Sequence, residues 1–269
     1  MSWLLALVVA AHAAATWPTV ATVASADGVK LQVSWAAPAK ADRAVVFVHG
    51  AGRSGADWQS TAEKAFRAGL IVAVVDLRGH GASVVGTPAE LTPNDYAAMI
   101  GDVHAALAHV RAQGAKKVSL IGADLGGNLV LNVAADDADV SSVVLLSPGM
   151  DYKGIVTTDA IRRYGARPIL FVASRDDKYG ASSATALDAN AVGPHQLQMY
   201  EAAGKGARML NKEAGLESTI LGFVGGAWDA VAGAKPATPS VVNISVESGT
   251  VKASAPPVAP SVPGTTPPK

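Results

Sequence analysis

Val118-Ser119-Leu120-Ile121-Gly122-Ala123-Asp124-Leu125-Gly126-Gly127 is the stretch from which the fold can be read. A short, mostly aliphatic run passes directly into Gly-x-Asp-x-Gly-Gly and then into an apolar stretch over residues 127–135. Such a run suits a strand buried on both faces. The glycines permit a sharp turn, so the segment predicts strand, tight turn and helix in immediate succession.

The same alternation continues on both sides. Strands are expected at residues 45–48, 70–75, 118–121, 143–146, 169–172 and 197–200, with helices at 58–68, 93–113, 127–135, 181–189 and 208–224. The clearest helix start is Thr92-Pro93-Asn94-Asp95, an N-cap, a proline in the first turn and an acidic box partner. In that helix Tyr96, Ile100, Val103, Leu107 and Val110 fall on one face. An earlier pair, 20–24 and 29–35 around Asp27-Gly28, reads as an antiparallel hairpin at the sheet edge. The fold class is therefore α/β, a mostly parallel central sheet with helices on both faces. Ligand sites in such sheets lie at the carboxyl ends of the strands.

Composition narrows the function. Lys plus Arg and Asp plus Glu both number 22, which removes the long-range attraction of a nucleic-acid binder. There are no cysteines, so disulfides, thiol nucleophiles and Cys-ligated metals are excluded. Residues 1–15 hold an apolar run ending in small residues and read as a secretory signal, too short to span a bilayer. Export to the periplasm or beyond the cell is expected, with mature protein starting near Thr16. Residues 235–269 carry eight of the fifteen prolines and read as a disordered Pro/Ala/Ser/Thr-rich tail, leaving 16–234 as the folded domain.

Four strand ends carry recognisable turns: His49-Gly50-Ala51-Gly52, Asp76-Leu77-Arg78-Gly79-His80-Gly81, Gly122 to Gly127, and Ala173-Ser174-Arg175-Asp176-Asp177. In this order they resemble the α/β-hydrolase family, particularly its small capless bacterial esterases and dienelactone-hydrolase or acylpeptidase-like members. The resemblance implies an oxyanion hole from the amides of Ala51 and Leu125 and a nucleophile elbow centred on residue 124. It also implies a triad carboxylate at Asp177, with Asp176 the second choice, and an ancestral hydrolysis of carboxylic esters or related acyl bonds. About twenty residues separate Ser147 from the next strand, which leaves no room for a large helical cap.

Two positions depart from the family. The elbow holds Asp124 in place of Ser, and Gly204-Lys205-Gly206 stands where Gly-His-Gly is expected. A hydroxyl nucleophile and a base of near-neutral pKa are both missing. Three readings follow. In the first, the chain is a pseudoenzyme whose Asp124 and Lys205 form an ion pair, and it binds a small acyl or ester ligand or an unknown protein partner, or serves structurally in the envelope. In the second, Asp124 is itself a nucleophile, as in the dehalogenases and epoxide hydrolases of the superfamily. In the third, another histidine acts as base, His49 and His80 being at the correct end of the sheet. Neither a cofactor nor a metal is expected. No nucleotide-binding glycine loop is present, and Asp136, Asp137 and Asp139 read as a solvated loop after a helix.

Overall fold

A computed structural model describes residues 16–83 and 90–231. The expected signal at 1–15 and the tail at 235–269 lie outside the described residues. The chain runs β1 (Thr19–Ala24), β2 (Lys30–Ala36), β3 (Arg43–Val48), α1 (Gln59–Arg67), β4 (Ile71–Val75), α2 (Pro93–Ala112), β5 (Lys117–Ala123) and α3 (Leu125–Asp136). It continues through β6 (Val140–Leu146), β7 (Asp151–Tyr152), β8 (Ile155–Val156), α4 (Thr158–Tyr164), β9 (Ile169–Ser174), α5 (Lys178–Asp188), β10 (His195–Tyr200) and α6 (Leu216–Val231).

Eight strands form one sheet in the order β1-β2-β4-β3-β5-β6-β9-β10. The β1–β2 and β2–β4 pairs are antiparallel, and every pair from β4 to β10 is parallel. The period of two along each strand divides the core. Val46, Val48, Leu120 and Phe171 face α2, α3, α4 and α5, whereas Val45, Phe47, Ile121 and Val172 face α1 and α6. Both faces are covered, which is why the central strands read as nearly unbroken aliphatic runs. No described helix is long and apolar enough to cross a membrane.

Helix α2 starts as its capping sequence predicts: Thr92 Oγ1 accepts from the Asp95 amide (3.3 Å), and the Thr92 amide donates to Asp95 Oδ2 (2.8 Å). Its buried stripe is displaced from the expected one. Met99, Asp102, Val103, Ala106, Leu107 and Val110 are buried, while Tyr96 and Ile100 are only partly covered. The displacement admits a charged residue, Asp102, which is fully buried against Arg78 (2.6 Å).

The expected helix at 208–224 is not continuous. A short 3-10 segment, Gly206–Asn211, precedes α6, and Gly215 just before the helix takes φ +93°, a conformation that ends one run of helical backbone before the next begins. Between β6 and β9 the chain builds only the β7–β8 hairpin and the single short helix α4, so no large cap covers the strand ends.

Candidate functional site

The turn from β5 to α3 holds Asp124 at φ 54°, ψ −121°, a conformation that side-chain-bearing residues rarely adopt. The neighbouring glycines allow it. A Cβ on Gly122 would stand 2.2 Å from Gly126 O, and one on Gly126 would stand 2.5 Å from Val48 O and His49 O. The turn is thus pressed against the end of β3, and the Asp124 side chain is lifted toward the loop after that strand. Strain of this kind costs about 1–3 kcal/mol and persists only where the surroundings enforce it.

That loop is braced by two histidines. His49 is fully buried; its Nδ1 bonds Gly50 O (2.8 Å) and its Nε2 accepts from the Leu77 amide (3.0 Å). Burial pushes its pKa down to about 4, so the ring is neutral. His80 bonds Arg78 O through Nδ1 (2.9 Å) and accepts from the Gly52 amide at Nε2 (3.1 Å). Both Nε2 lone pairs are committed to backbone amides, which leaves neither ring a free acceptor for a substrate proton. His104 is exposed on α2, His109 packs edge-on against Trp35 with ring centroids 4.9 Å apart, and His195 opens β10 at the opposite end of the sheet. The amides of Ala51 and Leu125 have no hydrogen-bond partner among the described residues.

Lys205 reaches the turn from the far side. Gly204 and Gly206 flank it at φ +84° and +60°. The loop is pinned by three groups from neighbouring strands. Asp176 accepts from the Gly204 amide (3.1 Å) and from Ser174 Oγ (2.5 Å), Ser174 Oγ accepts from the Ala203 amide (2.8 Å), and Ser147 Oγ accepts from the Gly206 amide (2.9 Å). So held, Lys205 Nζ lies 3.0 Å from Asp124 Oδ1, with the two side chains 35% and 16% exposed. The contact is an ion pair without directed hydrogen-bond geometry, since Oδ1 accepts no hydrogen bond.

Asp177 is differently engaged. It caps α5 by accepting from the Gly180 amide (3.2 Å), and its buried Oδ2 has no hydrogen-bond partner. It lines a cavity with Lys205 but forms no ion pair with it among the described residues. The structure therefore brings Asp124 and Lys205 into contact and leaves Asp177 beside them as a helix cap.

Sequence reasoning missed Tyr152. The β7–β8 hairpin carries its ring to 4.6 Å from Lys205 Nζ and 5.3 Å from the Tyr179 ring. Tyr179 fixes the hairpin through two 2.9 Å bonds, its hydroxyl accepting from the Asp151 amide and donating to Asp151 O. Burial, reinforced by the Asp124 carboxylate, pushes the Tyr152 phenol well above its usual pKa and keeps it protonated. A two-residue strand has no periodicity to read, so only the Tyr and Gly residues around Lys153-Gly154 could have signalled a turn there.

Two cavities flank Lys205. One of about 120 Å³ is lined by Ala51, Arg53, Asp57, Asp124, Lys205 and Arg208 among others. The other, about 410 Å³, is lined by Asp176, Asp177, Gly204, Lys205, Arg208 and Lys212 with Ala203. Among the described residues no group of three or more His, Asp and Glu side chains is arranged to hold a metal. The Asp136–Asp139 loop is tied down by arginines: Asp137 pairs with Arg111 (2.7 Å) and Asp136 with Arg163.

Solved structures share this architecture at low identity. The chain resembles an esterase of Pyrococcus furiosus (16% identity, TM-score 0.60, covering 77% of this chain and 91% of that one). It is also similar to a dienelactone hydrolase of Anabaena variabilis (20%, 0.58, 76% and 94%) and to epoxide hydrolase A of Mycobacterium thermoresistibile (18%, 0.58, 78% and 98%). These likenesses establish the fold. No curated protein matches the sequence. The profile of one family, "Serine aminopeptidase, S33", matches residues 39–175, just over half of the chain and all of the segment from β3 to the end of β9, so the chain belongs to that family of α/β-hydrolases.

Proposed function

We propose that this protein is a catalytically impaired α/β-hydrolase that uses its cleft to bind a small acyl- or ester-type ligand. In this reading Asp124, Lys205 and Asp177 occupy the nucleophile, base and acid positions of the esterases, where Ser, His and Asp would stand, and Ala51 and Leu125 keep the oxyanion amides. A protein partner in place of the small ligand is the other form of the same reading. The observation that carries it is the 3.0 Å Lys205–Asp124 contact. Two independent losses of function would rarely leave opposite charges that meet. An aspartate at the elbow lacks the hydroxyl that a serine-type triad deprotonates, and an ammonium has no lone pair with which to take a proton.

The competing reading makes Asp124 a nucleophile toward an epoxide or alkyl halide. Its strained turn and the protonated Tyr152 phenol nearby favour that possibility. A turnover cycle would still need a base to activate water against the aspartyl ester, and both histidines near the strand ends already accept backbone amides. One covalent event, without release, is the most this arrangement supports. The proposal also includes export directed by residues 1–15 and a binding domain over 16–234, followed by the tail at 235–269.

The deciding measurement is hydrolysis of short p-nitrophenyl esters by the full chain and by Asp124→Ala. Equal, background rates are expected. A rate clearly above the variant's would sink the binding reading, and a mass increment on Asp124 after exposure to epoxides or alkyl halides would establish the nucleophile reading.

A further inference from the structure

The charges around the smaller cavity do not cancel. Arg53 is committed to Asp57 through Nε (2.8 Å) and Nη2 (2.5 Å), and Lys205 is committed to Asp124. Arg208 lines the same cavity and has no ion-pair partner among the described residues. The lining therefore carries Arg53, Lys205 and Arg208 against Asp57 and Asp124, one positive charge in excess. The amide of Ala51, also in the lining, has no acceptor among the described residues. A positive excess and an N–H without a protein acceptor on one lining suit an anion.

Size sharpens the class. The smaller cavity, about 120 Å³, has room for a compact head group. The guanidinium is a planar fork of donors matched to two oxygens at once. Lys205 pairs with Asp124, which offsets that carboxylate's repulsion of such a group. Arg208 also lines the larger cavity, about 410 Å³, where Lys205 and Lys212 stand beside it and Asp176 and Asp177 balance part of the charge.

We propose that the cleft beside Asp124 binds a compact oxyanion, a phosphate or a short carboxylate, held by the Arg208 guanidinium and the Ala51 amide. This rests on the binding reading above and gives its acyl-type ligand an anionic head group. Tyr152 lines neither cavity. The lining places the anion between the loop after β3 and the segment carrying Arg208.

Calorimetric titration of the full chain with inorganic phosphate, and separately with acetate, tests this at ionic strength held constant with sodium chloride. Saturable binding of at least one anion is expected, and the preferred one tells phosphate from carboxylate. Arg208→Ala is expected to weaken it about tenfold or more, the loss of one charge-assisted contact, and Arg208→Lys to recover only part. Arg208 is exposed, and a circular dichroism melt confirms that the variants fold. Three results would each overturn the proposal: no saturable heat with either anion, equal affinity in Arg208→Ala, or the same heat when sodium chloride replaces the anion at equal ionic strength. Ester turnover above the Asp124→Ala rate would instead remove the binding-only reading and leave these titrations unaffected.

Discussion

Lys205 and Asp124 come from loops 81 positions apart and meet at 3.0 Å between Nζ and Oδ1, with the Tyr152 ring 4.6 Å from the same nitrogen. Each is delivered by a backbone built for it: Asp124 by a left-handed turn, Lys205 by a loop flanked by two glycines of positive φ. The pair is half-covered, neither a fully buried charge couple nor a free surface contact.

That intermediate exposure sets its energetic weight. Lys205→Ala is expected to cost about 1 kcal/mol, well below the ~3–5 kcal/mol of a deeply buried pair that loses one member. Chemical denaturation of Asp124→Ala, Lys205→Ala and the double variant measures the coupling. Strictly additive effects would show that the contact contributes nothing. The double exchange Asp124→Ser with Lys205→His is expected to be better tolerated than either single change.

Arg78 and Asp102 provide the contrast. Asp102 is fully buried and accepts from Arg78 Nε, Nη2 and the Arg78 amide, while Arg78 also reaches Asp27 (2.6 Å) and so ties the β1–β2 turn to α2. Asp102→Ala leaves the guanidinium with only the half-exposed Asp27 as an ion-pair partner and is expected to cost about 2–3 kcal/mol, less than a buried charge left wholly unpaired. A loss under 1 kcal/mol in urea unfolding would mean that water enters and solvates the group.

His49 predicts a pH dependence. Its folded pKa, about 4, lies below the unfolded value of 6.5, so the unfolded chain binds the extra proton between those limits. The stability this ring contributes is complete above pH 6.5 and falls as the pH drops toward 4, by at most about 3 kcal/mol. Urea midpoints measured from pH 7 to 5 should decline in the wild type, and His49→Gln should remove part of the slope. An identical slope in the variant would assign the decline to other groups.

The turn at Asp124 yields a prediction on backbone strain. Asp124→Gly and Asp124→Ala both delete the carboxylate, yet only glycine is at ease at φ 54°, ψ −121°. The glycine variant is expected to be more stable than the alanine variant by about 1 kcal/mol or more. Equal thermal midpoints would show that the turn relaxes once the ion pair is gone.

Much of this was legible beforehand in particular residues. The α/β order followed from aliphatic runs such as Val45–Phe47, because strands covered on both faces leave no polar alternation. Thr92, Pro93 and Asp95 announced the start of α2 through contacts made within one turn. Other features depend on partners distant in sequence. Asp102 sits on the buried face of α2 because Arg78 is there to meet it, and a periodicity of apolar residues cannot register a charge made tolerable by another loop.

The site divides along the same line. Chain order alone established the sequence of strand-end turns and the opposite charges at positions 124 and 205, since those rest on residue identity and local backbone demands. Only tertiary structure decided that Lys205 contacts Asp124, that Asp177 caps α5, that Tyr152 lies over the ammonium, and that His49 and His80 have surrendered their lone pairs to amides. Those outcomes are distances between segments brought together by packing of the sheet and its helices, and no local property of the chain encodes a distance.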